Sequence, residues 1–124
     1  MAKHLLVVLS DAVPGQEREF VRWYEEQHLD DVLRMPGFES AQLFKVARDG
    51  AKPLSGRYLA LYEMETDDPL AAYAALQQAA REGELPMTAT MDMANVVSTV
   101  VSPVTDKKTA YRKRRAPPQS DTLT

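Results

Sequence analysis

The chain has 124 residues, 44% of them apolar and 27% charged, with a formal net charge of −3. That length suits one domain with a core of its own. The absence of cysteine excludes disulfides, thiolate metal sites and a thiol nucleophile. Charge is unevenly spread: residues 105–124 carry six basic and two acidic groups (+4), and residues 1–104 carry nine basic and sixteen acidic groups (−7). An acidic body with a basic tail does not describe a nucleic-acid-binding face. The run Leu5–Leu9 is far shorter than the ~20 apolar residues of a membrane span, and no secretory pattern opens the chain. A cytoplasmic protein is expected, with neither nucleic acid nor membrane among its partners.

Residues 4–11 are β-rich and read as a strand buried on both faces, broken by Pro14-Gly15. From Gln16 the pattern is helical. Phe20, Tyr24, His28 and Val32 recur every four residues, Trp23 flanks that stripe, and Glu17 and Glu19 sit in the first turn, where the helix dipole favours them. Met35-Pro36-Gly37 ends the helix. Phe38–Ala47 alternates, with Phe38, Ser40, Gln42, Phe44 and Val46 on one face and Ala41, Leu43 and Lys45 on the other. A polar turn at 48–53 leads to a second alternating run, Arg57–Glu65, and the two runs read as a hairpin. Asp67-Asp68-Pro69 starts an alanine-rich helix over 70–81, which Gly83 stops. Residues 84–94, with Pro86 and three methionines, read as a loop or short irregular helix. The β-branched run 95–104 is the last strand, with Pro103 placing its end at an edge. The tail 105–124 has no apolar periodicity and is expected to be mobile.

The order βαββαβ predicts a single α+β domain over 1–104 of the ferredoxin-like kind: a four-stranded antiparallel sheet with two helices on one face. Helices cover only one side of such a sheet. Here the strands are apolar on both parities, as in Leu5, Val7 and Leu9 against Leu6 and Val8. A lone subunit would expose several hundred Å² of apolar sheet, around or above what monomers tolerate. A homodimer packed face to face is therefore predicted.

The segment Trp23-Tyr24-Glu25-Glu26-Gln27-His28-Leu29, followed by Met35-Pro36-Gly37-Phe38, resembles the dimeric α+β barrel superfamily, in particular its EthD-like members. Lys3-His4-Leu5-Leu6-Val7-Val8-Leu9 is similar to the first strand of the stress-responsive and olivetolic-acid-cyclase branch. The resemblance spans residues 3–104. It implies a pocket between sheet and helices with His28 pointing into it. Its members include cyclases, lactone isomerases, monooxygenases and haem enzymes, so it does not settle a reaction. The two histidines of this chain leave no counterpart for the further histidines of the cyclase branch.

His28 is the first catalytic candidate, because imidazole takes and returns a proton near neutrality. The competing reading is a histidine that satisfies a helix end. Tyr24 beside it could support a developing oxyanion. Tyr58 and Tyr62 share a strand face and could bind an aromatic ligand, as could Trp23; all three are also ordinary core residues. His4 could reach the pocket or stand exposed on the first strand. Met91, with Met87 and Met93, suits an adaptable apolar lid. Asp30 and Asp31 follow His28, and either could serve as its partner, although helical spacing turns both toward solvent. Without a Gly-rich phosphate loop, a cysteine or neighbouring histidines, neither nucleotide cofactor nor metal is expected. These residues together predict a small cofactor-independent cyclase, isomerase or lyase acting on an apolar, aromatic, polyketide-like or lactone molecule. The alternatives are a non-catalytic dimeric binding protein and, third, a haem-linked monooxygenase.

Overall fold

A computed structural model describes residues 3–47 and 56–111. In chain order these form β1 (Lys3–Ser10), α1 (Glu17–Trp23), a π-helical turn (Tyr24–His28), α2 (Leu29–Leu33), β2 (Phe38–Lys45), β3 (Tyr58–Glu65), α3 (Pro69–Arg81), a 3-10 turn (Met93–Asn95) and β4 (Val97–Val101). The four strands pair antiparallel in the order β2-β3-β1-β4. This is the ferredoxin-like α+β arrangement, with the helices on one face. The turn expected at 48–53 and the basic run Arg112–Arg115 lie outside the described residues. No helix among the described residues is long and apolar enough to cross a membrane.

β1 and β3 are the central strands, and their alternation sorts the sheet into two faces. Leu6, Ser10, Tyr58, Ala60, Tyr62 and Met64 point under the helices and are buried. Leu5, Val7, Leu9, Leu59 and Leu61 point the other way, joined in register by Val97 and Val101 of β4. One expectation fails on β2. A β-bulge between Phe38 and Ser40 resets the alternation, so Phe38 pairs with Met64 while Ser40 pairs with Glu63. Phe38 is therefore buried with Ala41 and Leu43 rather than sharing the face of Ser40, Gln42 and Phe44. An extra residue in one strand has this effect, and period-two counting cannot register it.

The first helical region runs through a wide turn. The Leu29 N–H bonds the Tyr24 carbonyl, five residues back instead of four. This explains the period-four stripe. On a regular α-helix, four residues overshoot a full turn by ~40°, so Phe20, Tyr24, His28 and Val32 would drift around the axis. A π turn takes more residues per revolution and cancels the drift. Phe20, Tyr24 and Val32 are accordingly at most 1% exposed. Gly37, at φ +92°, turns the chain out of α2, and its carbonyl accepts the Glu65 N–H at 2.9 Å.

On α3 the Asp68 carboxylate accepts the Ala71 N–H at 3.0 Å, and Pro69 occupies the first turn. Gly83, at φ +80°, closes the other end, with its N–H on the Ala80 carbonyl. The segment after it is more ordered than a loop reading implied. Backbone bonds Val13 N–H to Thr90 O (2.7 Å) and Asp92 N–H to Asp11 O (2.9 Å) pin it beside the end of β1.

Candidate functional site

A cavity of about 250 Å³ opens between the inner face of the sheet and the helices. Its floor is Leu6 and Val8 of β1, Tyr62 of β3 and Ser98 of β4. One wall is Tyr24, His28 and Val32 from the wide turn and α2; the other is Tyr73, Leu76, Gln77 and Ala80 from α3. Leu85, Met87, Met91, Met93 and Val96 close it from the segment that follows α3. The methionines differ in depth: Met91 is 6% exposed, whereas Met93 is 66% exposed at the rim.

His28 is the only lining residue whose ordinary pKa lies near neutrality. Its ring stacks on Trp23 at a centroid distance of 4.3 Å and 18° between planes, and meets Tyr24 edge to face at 5.5 Å. Its Nδ1 is buried and makes no hydrogen bond. Burial pushes its pKa down to about 4, against an opposing pull from the Asp31 carboxylate. The imidazole is therefore neutral at pH 7, with a lone pair free to take a proton. Burial raises the phenol pKa of both tyrosines that share the cavity with it. For Tyr24 the Ser10 hydroxyl offsets part of the rise, and for Tyr62 nearby Tyr24 adds to it. Both remain protonated donors. Across the cavity the Tyr73 hydroxyl bonds the Ser98 hydroxyl, tying α3 to β4.

Six of the residues singled out in the sequence thus meet in one place: His28, Tyr24, Tyr62, Met87, Met91 and Met93. Trp23, Tyr58 and His4 lie apart from the cavity lining. Trp23 backs the imidazole, and its Nε1–H is held by the Pro86 carbonyl at 3.2 Å. Tyr58 shares a strand face with Tyr62 but packs its ring on Phe20. It borders a second, polar cleft of about 530 Å³ with Asp11, Glu17, Lys45, Arg57 and Asp92. His4 sits near the far end of β1, with Nδ1 at 2.7 Å from the Ser102 hydroxyl. Asp11, just past the end of β1, accepts the Arg57 N–H on its carboxylate at 2.8 Å. Asp31 departs furthest from expectation. Its side chain is only 13% exposed, although helical spacing had turned it outward.

Tyr73, Gln77 and Ser98 were not singled out in the sequence. The available signal was Tyr73 itself, an aromatic in an alanine-rich helix, followed at helical spacing by Leu76, Gln77 and Ala80. Among the described residues no group of three or more His, Asp or Glu side chains is placed to hold a metal ion.

Solved structures share this fold. The haem-degrading protein MhuD from Mycobacterium tuberculosis, with two haems in its active site, superposes with a TM-score of 0.58 at 17% identity, over 85% of this chain and 99% of that one. An EthD family protein from Bacillus halodurans gives 0.57 at 11% identity, over 83% and 99%. A protein described as a monooxygenase from Shewanella loihica gives 0.53 at 21% identity, over 85% and 97%. At these identities the likeness is one of fold, that of the ferredoxin-like α+β barrels. No curated protein matches the sequence. The model of a family described as a domain of unknown function, DUF4286, matches residues 6–100, a span that holds the sheet except for Lys3, His4, Leu5 and Val101 and includes every cavity-lining side chain, and the chain belongs to that family.

Proposed function

We propose that the protein binds a small apolar, ring-containing molecule in the cavity and that His28 moves a proton on it. The observation that carries this reading is the imidazole itself: unpartnered at Nδ1, desolvated, neutral, and set among apolar side chains. An unpaired buried nitrogen lowers stability, so its presence calls for a use. A neutral base beside a carbonyl can take an α-proton, and the Tyr24 and Tyr62 phenols can donate to the enolate oxygen that forms. The reaction class we favour is cyclisation, isomerisation or lyase chemistry, each of which can start from removal of that proton.

Haem, which MhuD holds, fits this site poorly. The cavity of about 250 Å³ is smaller than a porphyrin, and no Lys or Arg lines it to pair with propionates. The bare sheet face supports the further reading that the working unit is a homodimer. Phe44, Val97 and Val101 are each at least 40% exposed there, beside Leu5, Val7, Leu9, Leu59 and Leu61. A second copy applied to this face buries them.

The two-ring ketone 2-tetralone tests the proposal. Trp23 is the only tryptophan of the chain and stacks on His28, so its fluorescence reports occupancy. Binding should quench it, and the protein should speed exchange of the ketone's α-protons in D2O. His28→Gln should keep the binding and lose the exchange by roughly 10²–10⁴-fold. Absence of binding, or exchange unchanged in His28→Gln, overturns the reading. Binding without any accelerated exchange by the wild-type protein selects the non-catalytic binding protein instead.

A further inference from the structure

Two buried polar atoms lie without partners within one helical turn. His28 Nδ1 and Asp31 Oδ2 are both shut off from solvent, and neither makes a hydrogen bond. Residues three apart on a helix are neighbours on its surface. The Asp31 carboxylate is close enough to oppose the effect of burial on the imidazole. It is also held in place: Arg34 Nη1 pairs with Oδ1 at 2.5 Å, which leaves Oδ2 facing protein.

The two orphans are complementary. A buried carboxylate oxygen without a donor is more costly than a neutral acceptor, and the imidazole has one N–H to give. A hydrogen bond between them would satisfy both. The other polar groups that line the cavity with His28 are uncharged. Trp23 covers one ring face, and the phenols of Tyr24, Tyr62 and Tyr73 face the same cavity. α3 and the segment after it contribute no charged side chain to the lining.

We propose that Asp31 is the positioning residue of the site: its Oδ2 accepts the Nδ1 proton of His28 and so presents Nε2, unprotonated, to the cavity. The inference rests on the reading of His28 as the proton-transferring group. A substrate proton then passes to Nε2, the resulting imidazolium is offset by the Asp31 carboxylate, and the same proton is returned to the product. Arg34 keeps the carboxylate oriented.

The test uses the full chain, uniformly labelled with ¹⁵N-histidine and free of ligand. His28→Gln assigns the signals, since only His4 remains. At pH 7, His28 should carry its proton on Nδ1. Asp31→Ala should move that proton toward Nε2 and lower the His28 pKa by about one unit, and Asp31→Glu should restore part of both. A wild-type His28 protonated on Nε2 overturns the inference, as does an Asp31→Ala variant with the same tautomer and pKa. Should Asp31→Ala fail to fold, the wild-type tautomer decides alone. Because no ligand enters the measurement, the outcome separates from the 2-tetralone result. Exchange activity lost in His28→Gln with the wrong tautomer removes Asp31 only. The Nδ1 tautomer without any exchange activity removes the catalytic reading and leaves the pair.

Discussion

The two faces of the sheet are built from the same kind of strand and meet opposite fates. On the inner face, Leu6, Tyr62 and Met64 are no more than 2% exposed, and the helices that cover them leave room for one small molecule. On the outer face the same strands present Leu5, Val7, Leu9, Leu59 and Leu61, which stay only partly buried. The contrast separates two jobs. Inner apolar groups hold the subunit together and line a cavity; outer ones contribute less to one subunit's stability and, on the reading proposed above, serve association.

Three substitutions would break or sharpen that contrast. The largest effect belongs to the inner face. Phe20, fully buried, packs on both Tyr24 and Tyr58, so Phe20→Ala should cost about 4 kcal/mol in denaturant unfolding. The second concerns pH. The His28 pKa falls from 6.5 unfolded to about 4 folded, so below pH 6.5 the unfolded chain takes up a proton that the folded chain refuses until about pH 4. Stability present above pH 6.5 is thus lost across that window, by about 3 kcal/mol. Unfolding curves at pH 7 and pH 4 should show wild type losing that much more than His28→Phe; equal losses in the two would place the imidazole in solvent. The third concerns the outer face. Leu61→Glu puts a charge where Leu61 meets Val7 and Gln42 on the neighbouring strands. Sedimentation should show the dimer weakened by roughly 100-fold, and a wild-type protein that sediments as a monomer at high concentration would contradict the homodimer outright.

Much of this was legible in the sequence, and the parts that were not share a cause. The order of elements, the α3 cap at Asp68-Pro69 and the two apolar parities follow from local periodicity and turn chemistry. The cavity-facing histidine followed from the stripe it shares with Phe20 and Tyr24. What periodicity assumes is an unbroken count, and the structure interrupts the count twice. A bulge after Phe38 moved that ring inward, and the wide turn at 24–28 changed the rotation per residue. Asp31 was expected outside because that count was carried through the wide turn as though it were regular. The pinning of the 84–94 segment to Val13 and Asp11 joins residues about 80 apart in sequence, which no local pattern encodes.

The wide turn has a consequence for how this protein can change. It is a one-residue surplus stored in a helix and absorbed within the turn itself. Rewinding to an ordinary helix at constant length would swing the chain beyond it by about 100°, whereas loss of one residue between 24 and 28 would let the helix relax with that chain still in register. A deletion would therefore spare the seats of Val32 and the loop into β2 and be felt at Tyr24 and His28, whose directions the wide turn sets.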